Sequence, residues 1–251
     1  MSAFLECRSI RKYFGGLTAL ANVSFSLLQG EILGIIGPNG AGKTTLFNII
    51  AGSLRPNLGS ALFEGQDLTA LGPERICRLG IARTYQLVRP FPSLTALENA
   101  LVAVSFGRSE LPPRRERVDL AMGALEFVGL GGKAHQPAQQ LTLAEKKHLE
   151  IARALATDPK IILLDEVVSG LTPTESGEVI ETIREIQRRG ITVIMIEHVL
   201  KVVMELCRTV MVLNYGALIA QGSPAEVVKD PLVIEAYLGD AEGGEGDHAR
   251  G

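Results

Sequence analysis

Apolar positions along the chain change their period, and each change marks a different kind of element. The first thirty residues alternate like exposed-edge β-structure, and Val23-Ser24-Phe25-Ser26-Leu27 puts its apolar side chains on one face. Gly30 interrupts this pattern. Ile32-Leu33-Gly34-Ile35-Ile36 is then a continuous apolar run, as expected of a strand buried on both faces. A glycine-rich turn follows, and Thr44 to Ala51 reads as a helix with Leu46, Ile49 and Ile50 inward. Ser60 to Phe63 reads as a strand that Glu64-Gly65 turns.

From about Pro90 to Lys147 the period becomes helical and strand signals are few. Leu97, Ala100, Leu101 and Val104 recur at helical spacing, and Leu120, Met122, Leu125, Phe127 and Val128 do so less cleanly. Strand patterns return at Ile161 to Leu164, Thr192 to Ile196 and Val210 to Leu213, with a helix-like stretch at Thr174 to Arg189. Strands alternating with helices imply right-handed crossovers and a mainly parallel sheet, so the fold class is α/β with a helical insertion. The closing Ala241 to Gly251, rich in Gly and Glu, has the composition of a disordered tail.

Composition narrows the functions open to such a fold. A chain of 251 residues fits one large α/β domain or a core with one inserted subdomain. A net charge of −3 supplies neither a nucleic-acid field nor a basic membrane patch, so no nucleic-acid partner is expected. Cys7, Cys77 and Cys207 lie far apart and odd in number, which reads as buried thiols in a reducing compartment. Met1 to Arg8 carries Glu6 and no apolar run, unlike a signal peptide, and no stretch approaches the roughly 20 apolar residues of a membrane span. The expectation is a soluble, unexported protein that reaches a membrane process through a partner.

The strongest chemical signal is Gly37-Pro38-Asn39-Gly40-Ala41-Gly42-Lys43-Thr44, which fits the phosphate-loop spacing between a buried strand and a helix. Its glycines let successive N–H groups turn toward phosphate oxygens, and the helix adds its N-terminal partial positive charge. Lys43 would reach the β- and γ-phosphates of ATP, and the Thr44 hydroxyl would ligate Mg2+. Thr45, next in the helix, joins the expected nucleotide contacts. A second signal is Ile161-Ile162-Leu163-Leu164-Asp165-Glu166, an apolar strand ending in two acids. Such a strand delivers its last residues to the ligand crevice of an open α/β sheet. Asp165 can then hold Mg2+ while Glu166, pointing the other way, polarises an attacking water.

With these two motifs in order, the sequence resembles the nucleotide-binding subunit of an ABC transporter over nearly its whole length. Gln86, in Ala82-Arg83-Thr84-Tyr85-Gln86, matches the family glutamine that contacts Mg2+ and the water. His198, in Ile196-Glu197-His198, matches the switch histidine that contacts the γ-phosphate, and Phe14, before Gly15-Gly16, matches the aromatic that stacks on adenine. The family's L-S-G-G-Q segment corresponds to Leu141-Thr142-Leu143-Ala144-Glu145, where both glycines are absent. Thr142 supplies the hydroxyl that could face ATP on the opposite subunit; equally, Thr142-x-x-Glu145 fits a capping box that turns both side chains onto their own helix. Glu145 also sets a negative charge beside an anion, which weakens attraction. Val167 and Thr172 stand where the family has proline and Asp or Asn.

The resemblance implies a phosphate-loop ATPase core over residues 1–89 and 155–240 that includes an antiparallel β subdomain, with an inserted helical subdomain over 90–154. It implies a head-to-tail dimer, with itself or with a similar ATPase subunit, holding two ATPs. Integral membrane permease subunits would be reached through Gln86 and the Leu87 to Leu97 segment, and a solute-binding protein indirectly. The location implied is cytoplasmic, on the inner face of the membrane. Phe14-Gly15-Gly16-Leu17, Gly222-Ser223-Pro224 and Glu235-Ala236-Tyr237-Leu238-Gly239 look most like subunits that energise branched-chain amino-acid uptake. An export motor of the lipopolysaccharide type, or a nucleotide-sensing module with weak hydrolysis, would share much of this pattern.

Overall fold

The computed structural model describes residues 3–243. The alternating N-terminal segment folds as a hairpin, β1 (Leu5–Phe14) and β2 (Leu17–Leu27), and the apolar run forms β3 (Ile32–Ile36). The glycine-rich turn leads into α1 (Lys43–Ile50), followed by β4 (Leu58–Phe63), β5 (Gln66–Asp67), α2 (Pro73–Arg78) and β6 (Ile81–Arg83). The helical region holds α3 (Ala96–Gly107), α4 (Arg114–Phe127) and α5 (Leu143–Ala156). Beyond it come β7 (Ile161–Asp165), α6 (Pro173–Arg188), β8 (Thr192–Ile196), α7 (Leu200–Leu206), β9 (Thr209–Asn214), β10 (Ala217–Gly222), α8 (Pro224–Val227) and α9 (Pro231–Gly243).

Two sheets result. β2-β1-β4-β5 is antiparallel, and β10-β9-β3-β8-β7-β6 is parallel except for the β9–β10 pair. The continuous apolar runs are explained by the six-stranded sheet, which is buried on both faces. Ile32, Ile36, Ile162, Leu164, Val193 and Met195 face a core shared with α3, α4, α5 and α6. Leu33, Ile35, Ile161, Leu163, Ile194 and Ile196 face the other core, shared with α1 and the antiparallel sheet. Each such side chain contributes about 1.5–3 kcal/mol on burial, so both faces hold the sheet.

Register then sets the site. Ile35 pairs with Ile196, Ile36 with Val212 and Asp165 with Ile196, so β3, β7, β8 and β9 end at one level. The phosphate loop, the two acids and Glu197-His198 therefore emerge along one edge of the sheet, which is where open α/β sheets bind ligands.

The structure amends several expectations. Ala241 to Gly243 close α9 rather than begin a disordered tail; the remainder of that tail, residues 244–251, lies outside the described residues. Cys77 is only part-buried, whereas Cys7 and Cys207 are buried and their thiols are pushed up to about 12, chiefly by burial. The expected subdomain boundary at residue 154 falls inside α5, a helix that passes from one region into the other without a break. Among the described residues no helix is long and apolar enough to cross a membrane.

Candidate nucleotide site

The phosphate loop is held in shape by contacts that only glycine permits. Gly37 has φ +144°, and a Cβ there would lie 2.0 Å from the carbonyl oxygen of Leu213; at Gly42, φ +99°, it would lie 2.5 Å from that of Ala19. The loop is thereby pressed between the end of β9 and the start of β2. Gly42 is also the N-cap of α1, with no side-chain cap and no acid in the first turn. The start of α1 thus carries no side chain bonded across it, the helix-end geometry that binds phosphate.

Within the loop, Pro38 and Ala41 are buried, Asn39 and Gly40 are exposed, Thr44 is exposed and Thr45 is half-buried. Lys43 is buried, and its Nζ donates to the carbonyls of Gly37 at 2.6 Å and Pro38 at 2.8 Å. Its ammonium thus lies folded across the loop it belongs to. Phe14 ends β1, is 46% exposed, and has Lys12 Nζ over its ring, 5.1 Å from the centre, on the hairpin that backs onto Gly42.

The second half of the site converges on Glu166. Its carboxylate accepts Gln86 Nε2 at 2.7 Å on one oxygen and lies 2.7 Å from His198 Nε2 on the other. Three residues from three separate segments, singled out by sequence alone, are in direct contact. Gln86 spends its amide N–H on Glu166, which leaves its amide oxygen for another partner. Glu166 itself has φ +49°, the left-handed region that a glutamate adopts only under constraint.

Asp165 ends β7, is buried, and accepts the Arg83 guanidinium on Oδ2 at 2.9 Å. Arg83 also donates to Asn48 of α1, lies over the rings of Phe47 and Tyr85, and has a buried Nε without a hydrogen-bond partner. Thr44, Gln86 and Asp165 line one cavity of about 580 Å3, together with Arg83 and, from α5, Glu150 and Arg153. A hydroxyl, an amide oxygen and one carboxylate are hard oxygen donors. That set suits Mg2+, which binds few protein carboxylates and completes its shell with phosphate oxygens and water.

At the start of α5 the capping box is formed. Thr142 Oγ1 accepts the Glu145 N–H at 3.3 Å, and Glu145 Oε2 accepts the Thr142 N–H at 2.9 Å. Lys133 pairs with the same carboxylate, and this ion pair is the largest influence holding Glu145 below the usual carboxylate range. Leu143 is exposed and Ala144 buried. Thr172 does the same for α6, capping it with Glu175. Val167 is buried, and the neighbouring Val168 N–H donates to Glu197 Oε1 at 3.2 Å. Burial, as the main cause, pushes the Glu197 carboxyl up to about 7.

Four contributors escaped the sequence reading: Arg83, Asn99, Lys147 and Glu197. Asn99 is fully buried, accepts the Phe91 N–H and donates to the carbonyls of Phe91, Leu94 and Thr95, which fixes the segment leading from Gln86 into α3. A signal existed for each, since each is a polar residue in phase with apolar neighbours, and such residues are buried only with partners.

A phosphate loop, a strand-end acid pair and two strands that present Gln86 and His198 to Glu166 define a nucleotide-binding cassette. The ABC transporter family matches residues 20–169, and the family described as branched-chain amino acid ATP-binding cassette transporter matches residues 217–243. The chain belongs to the ABC transporter family. It is 39% identical, over 94% of its length and 98% of the relative's, to the high-affinity branched-chain amino acid transport ATP-binding protein LivG of Escherichia coli (strain K12). It is 37% identical, with the same coverage, to BraF of Pseudomonas aeruginosa, a protein of the same description. Among solved structures, the ADP conformation of an ABC transporter's ATP-binding cassette superposes with a TM-score of 0.88 at 35% identity, covering 95% of this chain and all of that one. A dimeric cassette in a post-hydrolysis state with ADP and Pi superposes at 0.79 with 26% identity, covering 88% and 98%.

Proposed function

We propose that this chain binds and hydrolyses Mg-ATP and so energises uptake of branched-chain amino acids, or related small solutes, through separate membrane subunits. The observation that carries the catalytic part is the Gln86–Glu166–His198 contact, built beside the phosphate loop at one edge of the sheet. The names of the 37–39% identical relatives and the C-terminal family match support the substrate class. Neither the export reading nor the sensing reading gains an observation of its own.

In this reading the loop from Gly37 to Thr45 cradles the phosphates, Lys43 turns from its loop carbonyls to the β- and γ-phosphates, and Phe14 receives the adenine. Thr44, Asp165 and the Gln86 amide oxygen would hold Mg2+, which would neutralise charge building on the phosphates. Glu166 takes a proton from the attacking water. Gln86 and His198 fix the rotamer of that carboxylate, and His198 stands ready to turn to the γ-phosphate. In this reading Arg83 and Arg153 of the cavity stay engaged within the chain, Arg83 with Asp165 and Arg153 with Glu150, rather than finishing the charge-stabilising shell. A second ATPase subunit, identical or similar, supplies its Thr142-Leu143-Ala144-Glu145 segment instead, which ties hydrolysis to dimer closure. The structural likeness to a dimeric cassette supports that arrangement.

Residues 1–89 and 155–240 then act as the ATPase core and 90–154 as the insertion. Gln86 and the Leu87 to Leu97 segment would meet the permease subunits, at the inner face of the cell membrane. The test is ATP turnover and particle size with Glu166→Gln beside the parent. Turnover falls by a factor of about 10^2 or more, the scale of a lost general base, and an ATP-bound dimer accumulates. Equal turnover in the two proteins removes Glu166 from the role.

A further inference from the structure

Lys147 lies one turn inside α5, in helical phase with the buried Ala144, His148 and Ile151, and is only 4% exposed. An ammonium taken out of water needs acceptors. It donates to the backbone carbonyl of Glu166 at 2.9 Å and approaches that of Gln86 at 3.5 Å. Burial pushes its pKa below the ordinary lysine range, while the carboxylates of Glu197, Glu166, Asp165 and Glu150 pull it back up. A leucine or methionine would fill this place in the helix with less penalty, so the ammonium has a use other than packing.

Glu166 shows what that use is. Its left-handed backbone is strained and persists only because its surroundings hold it. Its N–H donates to the Ile196 carbonyl at 2.9 Å, its carboxylate meets Gln86 and His198, and its own carbonyl is held by Lys147. The first three anchors lie in the sheet region. The fourth comes from α5, the helix whose first turn is Thr142 to Glu145.

We propose that Lys147 is a positioning residue for Glu166, pinning the strained Glu166 backbone by its carbonyl so that the carboxylate's aim follows the placement of α5. The proposal rests on the reading of Glu166 as the group that activates water. Its consequence is that a shift of α5, imposed at its first turn by nucleotide on the opposite subunit, travels one helical turn and arrives at Glu166 within the same chain. Coupling of this kind needs a continuous chain of contacts, and here the chain is a single helix and one hydrogen bond.

The experiment compares Lys147→Met, Lys147→Gln and Lys147→Arg, each alone and combined with Glu166→Gln, in steady-state ATP turnover and in equilibrium titration with a fluorescent ATP analogue. Lys147→Met should lower kcat about tenfold or more, the scale of a misaimed catalytic group, with ATP affinity within about twofold of the parent. Lys147→Arg, which can still donate to the carbonyl, should recover much of the loss. In the Glu166→Gln background, Lys147→Met should lower kcat no further, because both changes act through one group. Parent-like kcat in Lys147→Met, or a further full loss on top of Glu166→Gln, overturns the proposal. If the Met and Gln variants both lose nucleotide binding together with turnover, Lys147 supports the fold only and the proposal is overturned as well. Should Glu166→Gln itself turn over like the parent, the underlying assignment fails first, and that result is distinct from any involving Lys147.

Discussion

Two helix starts in this molecule, those of α1 and α5, are built in opposite ways. α1 begins at Gly42 with no capping side chain and no acid in its first turn. α5 begins at Thr142 with a complete capping box, in which the Thr142 and Glu145 N–H groups are bonded by side chains of the same turn and the Glu145 carboxylate is paired with Lys133. An uncapped helix end keeps donors and a partial positive charge for an outside anion, although here Lys43 must first leave the loop carbonyls it bonds. A capped end has spent part of those donors on stability. The phosphate loop lies within one chain; at the start of α5 the Thr142 hydroxyl accepts the Glu145 N–H and keeps its own O–H for a further acceptor.

The largest way to break this contrast is Gly37→Ala. A methyl 2.0 Å from the Leu213 carbonyl, at a φ of +144°, cannot be accommodated without moving the loop. The cost is about 3 kcal/mol or more, read as a lower unfolding midpoint and loss of ATP binding by titration. Parent-like affinity would mean that the loop is not held by β9. A middle-sized test is Thr142→Ala, which removes the cap and lowers stability by about 1 kcal/mol while leaving monomer ATP affinity unchanged. If the hydroxyl also serves the opposite nucleotide, ATP-driven dimerisation weakens in sedimentation or light scattering, and Thr142→Ser restores it. An unchanged dimer assigns Thr142 to capping alone. The smallest effect belongs to Glu145→Gln. Glutamine keeps the back-bond to the Thr142 N–H and removes the negative charge, so dimerisation with ATP should tighten by less than about 1 kcal/mol. Weaker dimerisation would show that the Lys133–Glu145 pair is needed to place the helix.

How much of this was legible beforehand differs between the halves of the site. The strands β3, β7, β8 and β9 and the helices α1 and α6 were readable to within a residue or so, because burial on both faces produces uninterrupted apolar runs and α6 a clean helical stripe. β10, α2 and α7 to α9 carried weaker patterns, being short, edge-lying or half-exposed. Ala241 to Gly243 read as tail because composition cannot register that a helix begun at Pro231 continues through them. Arg83 and Lys147 were visible as charges in apolar phase, yet nothing local says that one would meet Asp165, 82 residues away, or the other Glu166.

The amino-acid order alone located the phosphate loop, since its glycines, the lysine and the helix start lie within eight neighbouring residues, and it determined the family through motifs set in a fixed order; the close approach of Gly37 to Leu213 and of Gly42 to Ala19 came only with the fold. Tertiary structure decided everything that depends on strands ending at a common level. It brought Gln86 and His198 onto Glu166, turned Arg83 onto Asp165, and carried Lys147 from α5 to a carbonyl on a different segment. Local interactions are encoded where they act, whereas contacts between distant segments exist only once sheet register and helix packing have fixed their distance.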